Sequence, residues 1–459
     1  MADHVSKPAP AGATESTSLL RLNADKGEWA QLSKVDERGY GDATISHYRM
    51  GNGLQIIVWP DRTAPVFAYQ SWFGVGSRHE KVGRTGIAHL FEHLMFKATE
   101  NQPEGRFDQI MEAHGAETNA ATWVDWTYYR AKLPKGNVGL VVGLEADRMA
   151  HLILDAGQLE SEREVVKNER LGRVDNDPEG KLYETLYALA YDVHPYRWPT
   201  IGWMEDIEAI TLEDCLAFYR TYYAPNNATL TVVGDVDLEA LLAEVQEGYG
   251  HLAPQEIPAP DPVVEPPQLA EKRKVLELPV SASKVVSAWH APAMGTEMHV
   301  ALTILSEILT VGESSQLYKH LVTELELASE IWGWTSGWSE PGLFELGMNL
   351  RPGVSVEEAE EVFLADLEHV RTHGVTERQV KKAQNGLEAM FLRGIADTGS
   401  RARGLGNAHL SHGNFKAFFE EPERLRHVTP ADVQKAAQAV LTRENRTVVV
   451  VLPQGAADD

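Results

Sequence analysis

Two histidines and a glutamate lie close together in the segment His89-Leu90-Phe91-Glu92-His93. On a helix, residues four apart lie on the same face, so the imidazoles of His89 and His93 can bind one metal ion. Glu92 follows His89 by three residues, so its carboxylate points toward the same ion. This is the inverted order H-x-x-E-H. The alternative is a solvated helix face with two surface histidines.

These residue types suit metal-assisted hydrolysis. Neutral imidazole nitrogens hold zinc, and zinc with an open coordination position lowers the pKa of a bound water to about 7. Glu92 would accept the proton of that water and pass it to the leaving amine of a peptide bond. The segment therefore predicts one Zn²⁺ per chain and peptide hydrolysis with Glu92 as general base.

Two histidines and a water leave one protein ligand to be found. The best candidate is Glu169, at the end of the acidic segment 162–169. Glu162 lies seven residues earlier, two helical turns away on the same face, and is predicted to hydrogen-bond a ligand or the water. A solvated acidic helix face is the alternative for both carboxylates.

Helices and strands must position these groups. A helix over residues 87–96 is predicted to carry the histidines, and a helix over 161–176 to carry the glutamates. Val-, Ile- and aromatic-rich runs predict strands over 54–59, 66–73 and 229–233, and a strand pair over 118–133.

An internal repeat divides the chain. Residues 209–233 align without gaps with residues 427–451, and each copy predicts a helix capped by Thr211 or Thr429, followed by a turn and a Val-rich strand. A second, shorter match sets Glu162-Arg163-Glu164-Val165 against Glu377-Arg378-Gln379-Val380. The chain is therefore predicted to contain two copies of one α+β domain.

A proline-rich stretch separates the two copies. Six prolines lie between residues 252 and 267, a density that excludes a helix and favours an extended linker. The predicted organisation is a flexible leader at 1–40, a zinc-binding α/β domain at 41–251, a linker at 252–270, and a related domain without a metal site at 271–459.

Composition limits the function classes. The net charge of −25 argues against nucleic-acid binding and favours solubility. The single cysteine, Cys215, excludes an internal disulfide and a cysteine-rich zinc site, and its place in a helical pattern predicts a buried thiol. No apolar run is long enough to span a membrane. The polar segment Met1–Ser18 is not a signal peptide, but resembles the leader left after a signal is removed. We therefore expect a periplasmic location, with the cytoplasm as the alternative.

With these residues in view, the chain resembles the pitrilysin, insulinase and mitochondrial processing peptidase family. The segments that carry the resemblance are Gly86–Leu94, Glu162–Glu169, Asn119-Ala120 with Thr122, His194-Pro195-Tyr196, Ile201-Gly202, Tyr223–Asn227 and Val233–Val236.

The resemblance implies roles for individual residues. It implies His89, His93 and Glu169 as zinc ligands, Glu92 as general base and Glu162 as the residue supporting a ligand. The list is completed by Asn119 and Ala120, which match an edge strand that pairs with the substrate backbone. A turn residue is the alternative for Asn119.

The resemblance also implies two related α/β domains, each an antiparallel-rich sheet with helices packed on one face, forming half of a clamshell. Four such domains would enclose a chamber for unfolded peptides, so a second two-domain chain is needed. Members with a complete site place an Arg and, seven residues later, a Tyr in the C-terminal half. Here these positions fall on Val322 and Ser329, on and just beyond a predicted helix over 316–327.

The expected partner is therefore a homologous subunit that lacks the zinc motif and supplies the Arg and Tyr. Two alternatives stay open. One is a homodimeric peptidase, for which Tyr318 or Arg351 would have to stabilise the oxyanion. The other is a non-catalytic scaffold subunit of the same fold.

Overall fold

The computed structural model describes residues 12–455 and contains two β-sheets with helices packed against them. The strands of the first sheet are β1 (Leu32–Tyr40), β2 (Ala43–Met50), β3 (Gln55–Pro60), β4 (Val66–Phe73), β5 (Glu117–Thr122), β6 (Thr127–Pro134) and β7 (Ala228–Gly234). Those of the second sheet are β8 (Lys272–Leu278), β9 (Lys284–Ala291), β10 (Ala328–Thr335), β11 (Gly342–Leu350) and β12 (Arg446–Pro453).

Helices connect and cover these strands. In the N-terminal half they are α1 (Gly12–Asn23), α2 (Ile87–Leu94), α3 (Arg106–Ala113), α4 (Val138–His151), α5 (Ala156–Arg170), α6 (Pro178–Ala190), α7 (Met204–Ala209), α8 (Leu212–Tyr222) and α9 (Leu238–Tyr249). In the C-terminal half they are α10 (Glu297–Thr310), α11 (Val356–His373), α12 (Glu377–Gly394), α13 (Thr398–His412), α14 (Ala417–His427) and α15 (Pro430–Val440). The described residues also include two π-helical segments, Leu171–Asp175 and Tyr318–Glu324. Four short 3₁₀ turns lie at Glu28–Ala30, Ser77–His79, Pro195–Arg197 and Pro225–Asn227.

Both sheets share one strand order. The first runs β1-β2-β3-β7-β4-β6-β5, and the second, read from its far edge, runs β8-β12-β9-β11-β10. The pairs β3 with β7 and β8 with β12 are parallel, and the other strand pairs described are antiparallel. The second sheet thus repeats five positions of the first, which confirms the predicted fold class of two related α+β domains.

The longer sequence repeat is confirmed by identical helix starts. Thr211 and Asp214 cap α8 reciprocally, with Thr211 N donating to Asp214 Oδ2 at 2.8 Å. Thr429 and Asp432 do the same for α15, at 2.9 Å. These capping boxes satisfy backbone donors that a helix start leaves free, and each helix then leads into a central strand, β7 or β12.

The shorter sequence match is wrong as a structural equivalence. Glu162 is the seventh residue of α5, whereas Glu377 is the first residue of α12. When the two helices are aligned from their N-caps, Asp155 and Thr376, the counterpart of Glu162 is Ala383. A short run of charged residues with one valine recurs readily on amphipathic helices, so it does not fix a register.

The two halves exchange a helix. Leu182 and Leu186 of α6, in the N-terminal half, pack against Val449 of the second sheet. Leu405 of α13, in the C-terminal half, packs against Ile57 of the first sheet. Each sheet therefore has helices on both faces, and one covering helix comes from the other half. The proposed domain boundaries at 251 and 271 do not mark two separately covered cores.

The predicted flexible leader is wrong for its last part; residues 1–11 lie outside the described residues. Leu22 packs against the core of the first half, and Asn23 exchanges hydrogen bonds with the backbone of Leu32. Residues 32–40 form β1, which pairs along its length with β2. The apolar residues that begin at Leu19 allow this attachment, whereas the composition argument was dominated by the polar segment before them.

Two further expectations concern the linker and the thiol. Residues 252–270 contain no helix or strand, as the prolines require. Cys215 is fully buried, which confirms the predicted core thiol. From residue 12 to residue 455, no helix is both long and apolar enough to cross a membrane.

Candidate metal centre

The helix that carries the histidines has a rigidly held start. Gly86, its N-cap, has φ +89°, and a Cβ there would lie 2.4 Å from the Ile201 carbonyl oxygen, so only glycine fits. The carboxylate of Glu80 accepts the backbone N–H groups of Gly86 and Ala88, each at 2.9 Å. Burial raises the pKa of Glu80 to about 8, although these two donors stabilise its charge. The first turn of α2 is therefore fixed in position.

Three ligand-type side chains meet between α2 and α5. One ligand atom from each of His89, His93 and Glu169 lies within 4.8 Å of the others. The Oε2 atom of Glu169 is 3.7 Å from His89 Nε2 and 3.4 Å from His93 Nε2. This arrangement brings together the three residues that the sequence proposed as ligands, in the donor set that zinc prefers.

Glu162 orients one of the histidines. Its Oε2 atom lies 3.3 Å from His93 Nδ1, on the side of the ring away from Glu169. Its other oxygen is 2.5 Å from Lys97 Nζ. The hydrogen bond with His93, opposed by burial and aided by Lys97, lowers the pKa of Glu162. An ionised Glu162 fixes the His93 tautomer that leaves Nε2 free for a metal.

The two histidines have opposite charge preferences. Burial, reinforced by the neighbouring His93, lowers the pKa of His89 to about 4. Burial also opposes the charge on His93, but Glu162 and Glu169 outweigh it and raise the pKa of His93 to about 9. The hydrogen bond from His93 lowers the pKa of Glu169. The pocket is thus negatively charged and attracts a cation.

Glu92 faces the same space from α2. The Thr122 hydroxyl donates to Glu92 Oε2 at 2.6 Å, which holds the carboxylate against the end of β5. Burial raises the pKa of Glu92, and the hydrogen bond from Thr122 opposes that rise. A carboxylate with a raised pKa is a better proton acceptor than a solvated one.

All seven predicted site residues line one cavity of about 730 Å³. These are His89, Glu92, His93, Asn119, Ala120, Glu162 and Glu169. Asn119 and Ala120 belong to β5, which forms the edge of the first sheet and pairs with β6 on its other side. The Asn119 side chain accepts the backbone N–H of Ala120 at 2.8 Å. One wall of the cavity is therefore an open strand edge.

Four further charged residues of the cavity lining were not singled out as site residues from the sequence: Lys97, Glu104, Asp108 and Arg173. Arg173 lies in the π-helical turn that directly follows α5, and its Nη1 atom is 2.9 Å from Glu169 Oε1. Lys97 follows His93 by four residues and Arg173 follows Glu169 by four, so helical spacing from the predicted ligands would have found both.

The positions expected for Arg and Tyr lie elsewhere. Val322 is buried in the second π-helical segment, and Ser329 is exposed on β10, where its hydroxyl donates to the Asn349 carbonyl. The helix predicted over 316–327 is instead this π-helical segment, which ends at Glu324. Val322 and Ser329, like Tyr318 and Arg351, are not among the described residues that line the metal cavity.

The sequence matches a known family in both halves. Residues 57–202 match the family described as Insulinase (Peptidase family M16), and residues 209–387 match the Peptidase M16 inactive domain. The chain is 31% identical over 407 residues to the zinc protease PqqE of Helicobacter pylori, and the alignment covers 88% of this chain and 91% of that protein.

Two solved structures have a fold similar to that of this chain. A protease from Helicobacter pylori has a TM-score of 0.84 and 30% identity, over 89% of this chain and 99% of that chain. The periplasmic protease PqqL from Escherichia coli shares the fold, with a TM-score of 0.76 and 16% identity, over 92% of this chain but 48% of that chain. Because family matches fall on both halves and a relative at 31% identity spans most of its length, the chain belongs to peptidase family M16, the insulinase family.

Proposed function

We propose that this chain is the zinc-bearing subunit of a metalloendopeptidase that hydrolyses peptides or unfolded polypeptides. The observation that carries the proposal is the meeting of His89, His93 and Glu169 in a cavity that also holds Glu92. A structural metal site would not need a buried carboxylate poised beside it, whereas a hydrolytic site does.

The residues fit a zinc ion. Two nitrogen donors and one carboxylate form the three-ligand set of catalytic zinc sites. Glu162 gives His93 the orienting partner that such histidines have, and Glu169 already favours its charged form. When bound, zinc would act as a Lewis acid that polarises the scissile carbonyl and acidifies the attacking water.

Glu92 moves the proton in this proposal. Its carboxylate accepts a proton from the attacking water and delivers it to the nitrogen of the leaving amine. Thr122 keeps the carboxylate on the cavity side of α2. The raised pKa of Glu92 suits both halves of this transfer, because the protonated form is then available to the leaving group.

The substrate is proposed to bind as an added strand. The free edge of β5, at Asn119 and Ala120, offers backbone donors and acceptors to an extended peptide beside Glu92. Such pairing reads the backbone, which suits substrates without a fixed fold.

A partner chain is proposed to complete the site. The residues that line the described cavity include no tyrosine, and Arg173 is already paired with Glu169. The match to about half of the length of PqqL also suits an enzyme assembled from two such units. The proposed partner is a homologous chain with an Arg and Tyr pair and no zinc motif, and the proposed location is the periplasm.

The test compares zinc content with turnover. Glu92→Gln is expected to keep about one zinc per chain and to lose hydrolysis, because the metal ligands remain while the proton acceptor is gone. Zinc is measured by elemental analysis, and turnover with an internally quenched peptide library. A fully active Glu92→Gln enzyme would rule out its role as base. Full turnover by the purified chain alone would instead favour the homodimer.

A further inference from the structure

The hairpin formed by β5 and β6 supplies one wall of the metal cavity. β5 ends at Thr122, which holds Glu92, and residues 123–126 form the tip that turns the chain into β6. In the described sheet, β5 has β6 as its one neighbouring strand. Because an edge strand is hydrogen-bonded on one side only, its position depends on how the hairpin tip is held.

The tip is held by a loop of the second half, residues 336–341, which joins β10 to β11. The backbone N–H of Ser339 donates to Asp125 Oδ2 at 2.9 Å. The Tyr196 hydroxyl donates to Asp125 Oδ1 at 2.8 Å and accepts the backbone N–H of Glu340 at 3.2 Å. Both carboxylate oxygens of Asp125 are therefore used to align the tip with this loop.

Glu340 attaches the same loop to the first half. Arg78 binds its carboxylate twice, with Nε 2.7 Å from Oε2 and Nη2 2.8 Å from Oε1, while the backbone N–H of Arg78 donates to the Val124 carbonyl of the tip. His194 Nε2 lies 2.8 Å from Glu340 Oε2. Because His194 Nδ1 accepts the backbone N–H of Tyr196, Nε2 carries the proton and donates to Glu340. Burial opposes the charge of Glu340, but His194 and Arg78 outweigh it and lower the pKa of Glu340 to about 2.

Stability alone does not account for a charged network at this point. Arg78 and His194 are buried, and Tyr196 belongs to an apolar cluster with Leu182 and Trp338. Burying an ion pair removes water from both charges, and apolar side chains of similar volume often hold such a contact equally well. A fully satisfied polar network adds direction, because its hydrogen bonds form in one alignment of the tip and the loop.

We propose that loop 336–341 of the second half positions β5 for hydrolysis, and that it acts through Asp125 and Tyr196. The inference rests on the proposed peptidase function and gives the half without a metal site a part in it. Asp125 and Tyr196 are not among the described residues that line the cavity, so they are positioning residues. They keep Thr122 within reach of Glu92 and keep the free edge of β5 beside the metal ligands. A displacement of about 1 Å at a reacting group can cost about 100-fold in rate.

The test compares two tyrosines that each lose a hydroxyl. Tyr196→Phe releases Asp125 and the Glu340 backbone. Tyr187→Phe, the matched control, removes a hydrogen bond to Glu345 that also joins the halves but reaches β11 rather than the hairpin tip. Hydrogen exchange of the β5 backbone amides, followed by mass spectrometry on the zinc-loaded chain, should become about tenfold faster in Tyr196→Phe and stay unchanged in Tyr187→Phe.

The assembled enzyme provides a second measurement. Tyr196→Phe should lower kcat/KM for an internally quenched peptide about tenfold, and Tyr187→Phe should not, although both keep their zinc and have a similar Tm. Asp125→Asn keeps one oxygen acceptor and leaves the packing intact, whereas Asp125→Ala removes both acceptors. The loss of kcat/KM should therefore be larger for Asp125→Ala than for Asp125→Asn.

The two measurements separate this inference from the proposed function. Unchanged β5 exchange in Tyr196→Phe and Asp125→Asn, or an equal increase in Tyr187→Phe, overturns the inference. Full kcat/KM in Tyr196→Phe and Asp125→Asn leaves the peptidase function standing and overturns the positioning role. A zinc-loaded wild-type chain that cleaves no peptide with its partner present overturns both, whatever the exchange of β5.

Discussion

The two halves of the chain contain equivalent helices, α2 and α10, that carry different side chains. Counted from their N-caps, Gly86 and Thr296, the third residue is a histidine in both α2 and α10. His89 opens into the metal cavity, and its Nδ1 atom has no hydrogen-bond partner among the described residues. His299 is buried and its Nε2 atom lies 3.0 Å from the Ser336 carbonyl oxygen.

The surrounding positions explain this difference. The counterparts of Glu92 and His93 are Leu302, which is fully buried, and Thr303, whose hydroxyl donates to its own helix. The counterpart of Glu162 is Ala383, as noted above. Within residues 12–455, His89, His93 and Glu169 form the single group of three potential metal ligands. Helices α2 and α5 lie against each other, as do α10 and α12, so the two halves differ in the side chains that these helices carry.

The largest expected effect comes from removing the shared histidine in each half. His89→Ala should weaken zinc binding at least about 100-fold, more than the loss of a group that only supports a ligand. His299→Ala should leave zinc affinity unchanged and lower the free energy of unfolding by about 1–3 kcal/mol, because it leaves a buried carbonyl unpaired. Competition with a chelator and thermal unfolding measure the two effects. Zinc loss in both variants would contradict the comparison.

A smaller effect tests the corrected helix register. Glu162→Gln should weaken zinc binding about tenfold, because the amide orients His93 less strongly than the carboxylate. Glu377→Gln, which changes the residue that the sequence match pairs with Glu162, should have no effect. Zinc titration of the two variants checks this, and equal losses would restore the sequence match.

The strands β5 and β10 both end in threonine, which allows a third comparison. Thr122 holds Glu92, whereas the Thr335 hydroxyl is buried without a partner among the described residues. Thr122→Val should lower kcat about tenfold with little change in KM or zinc content, and Thr122→Ser should restore it. Thr335→Val should leave kcat unchanged. A KM effect alone would assign Thr122 to substrate binding.

The contacts made by the two exchanged helices contain titratable groups whose pKa values are shifted in opposite directions. On α13, His409 faces His47 across the interface, with ring centroids 4.8 Å apart, and burial lowers the pKa of His409 to about 4. On β11, Glu345 accepts the Tyr187 hydroxyl of α6 at 2.9 Å, and burial raises its pKa to about 8. At neutral pH both interfaces therefore contain uncharged titratable groups.

The smallest predicted effect follows from these two shifts. The unfolded chain protonates His409 near pH 6.5 but the folded chain does so near 4, so this contact loses stability as the pH falls through that window. The unfolded chain ionises Glu345 near 4.5 and the folded chain near 8, so the other contact loses stability as the pH rises. His409→Leu should flatten the acid side and Glu345→Gln the alkaline side of a Tm-against-pH profile in chelator, by a few degrees each. Parallel profiles would contradict the assignment.

Local spacing made part of this structure predictable. The four-residue separation of His89 and His93 fixes their common face once a helix forms, and the capping pairs at Thr211 and Thr429 mark helix starts in the sequence. The open edge of β5 depended on the family resemblance rather than on spacing. The acidic segment 162–169 offered Glu169 as the third ligand but left a solvated helix face as the alternative.

Long-range contacts could not be predicted. Nothing local in α6 or α13 shows that each covers the sheet of the other half, because the apolar residues of a helix do not identify the sheet that they will contact. The hydrogen bond from Thr122 to Glu92 joins residues 30 positions apart and depends on how the β5–β6 hairpin folds back over α2. The sequence alone also does not distinguish a structural histidine, such as His299, from a candidate metal ligand, such as His89.

The helix exchange also has a consequence during synthesis on the ribosome. The first sheet is complete once β7 ends at Gly234, but α13, which covers its outer face, begins 164 residues later, at Thr398. At about 5–20 residues per second, that face stays bare for roughly 10–30 s. The half with the candidate metal site is thus made first, but its sheet is covered last. Until nearly all of the chain has been translated, the nascent chain carries an exposed apolar surface that chaperones could bind.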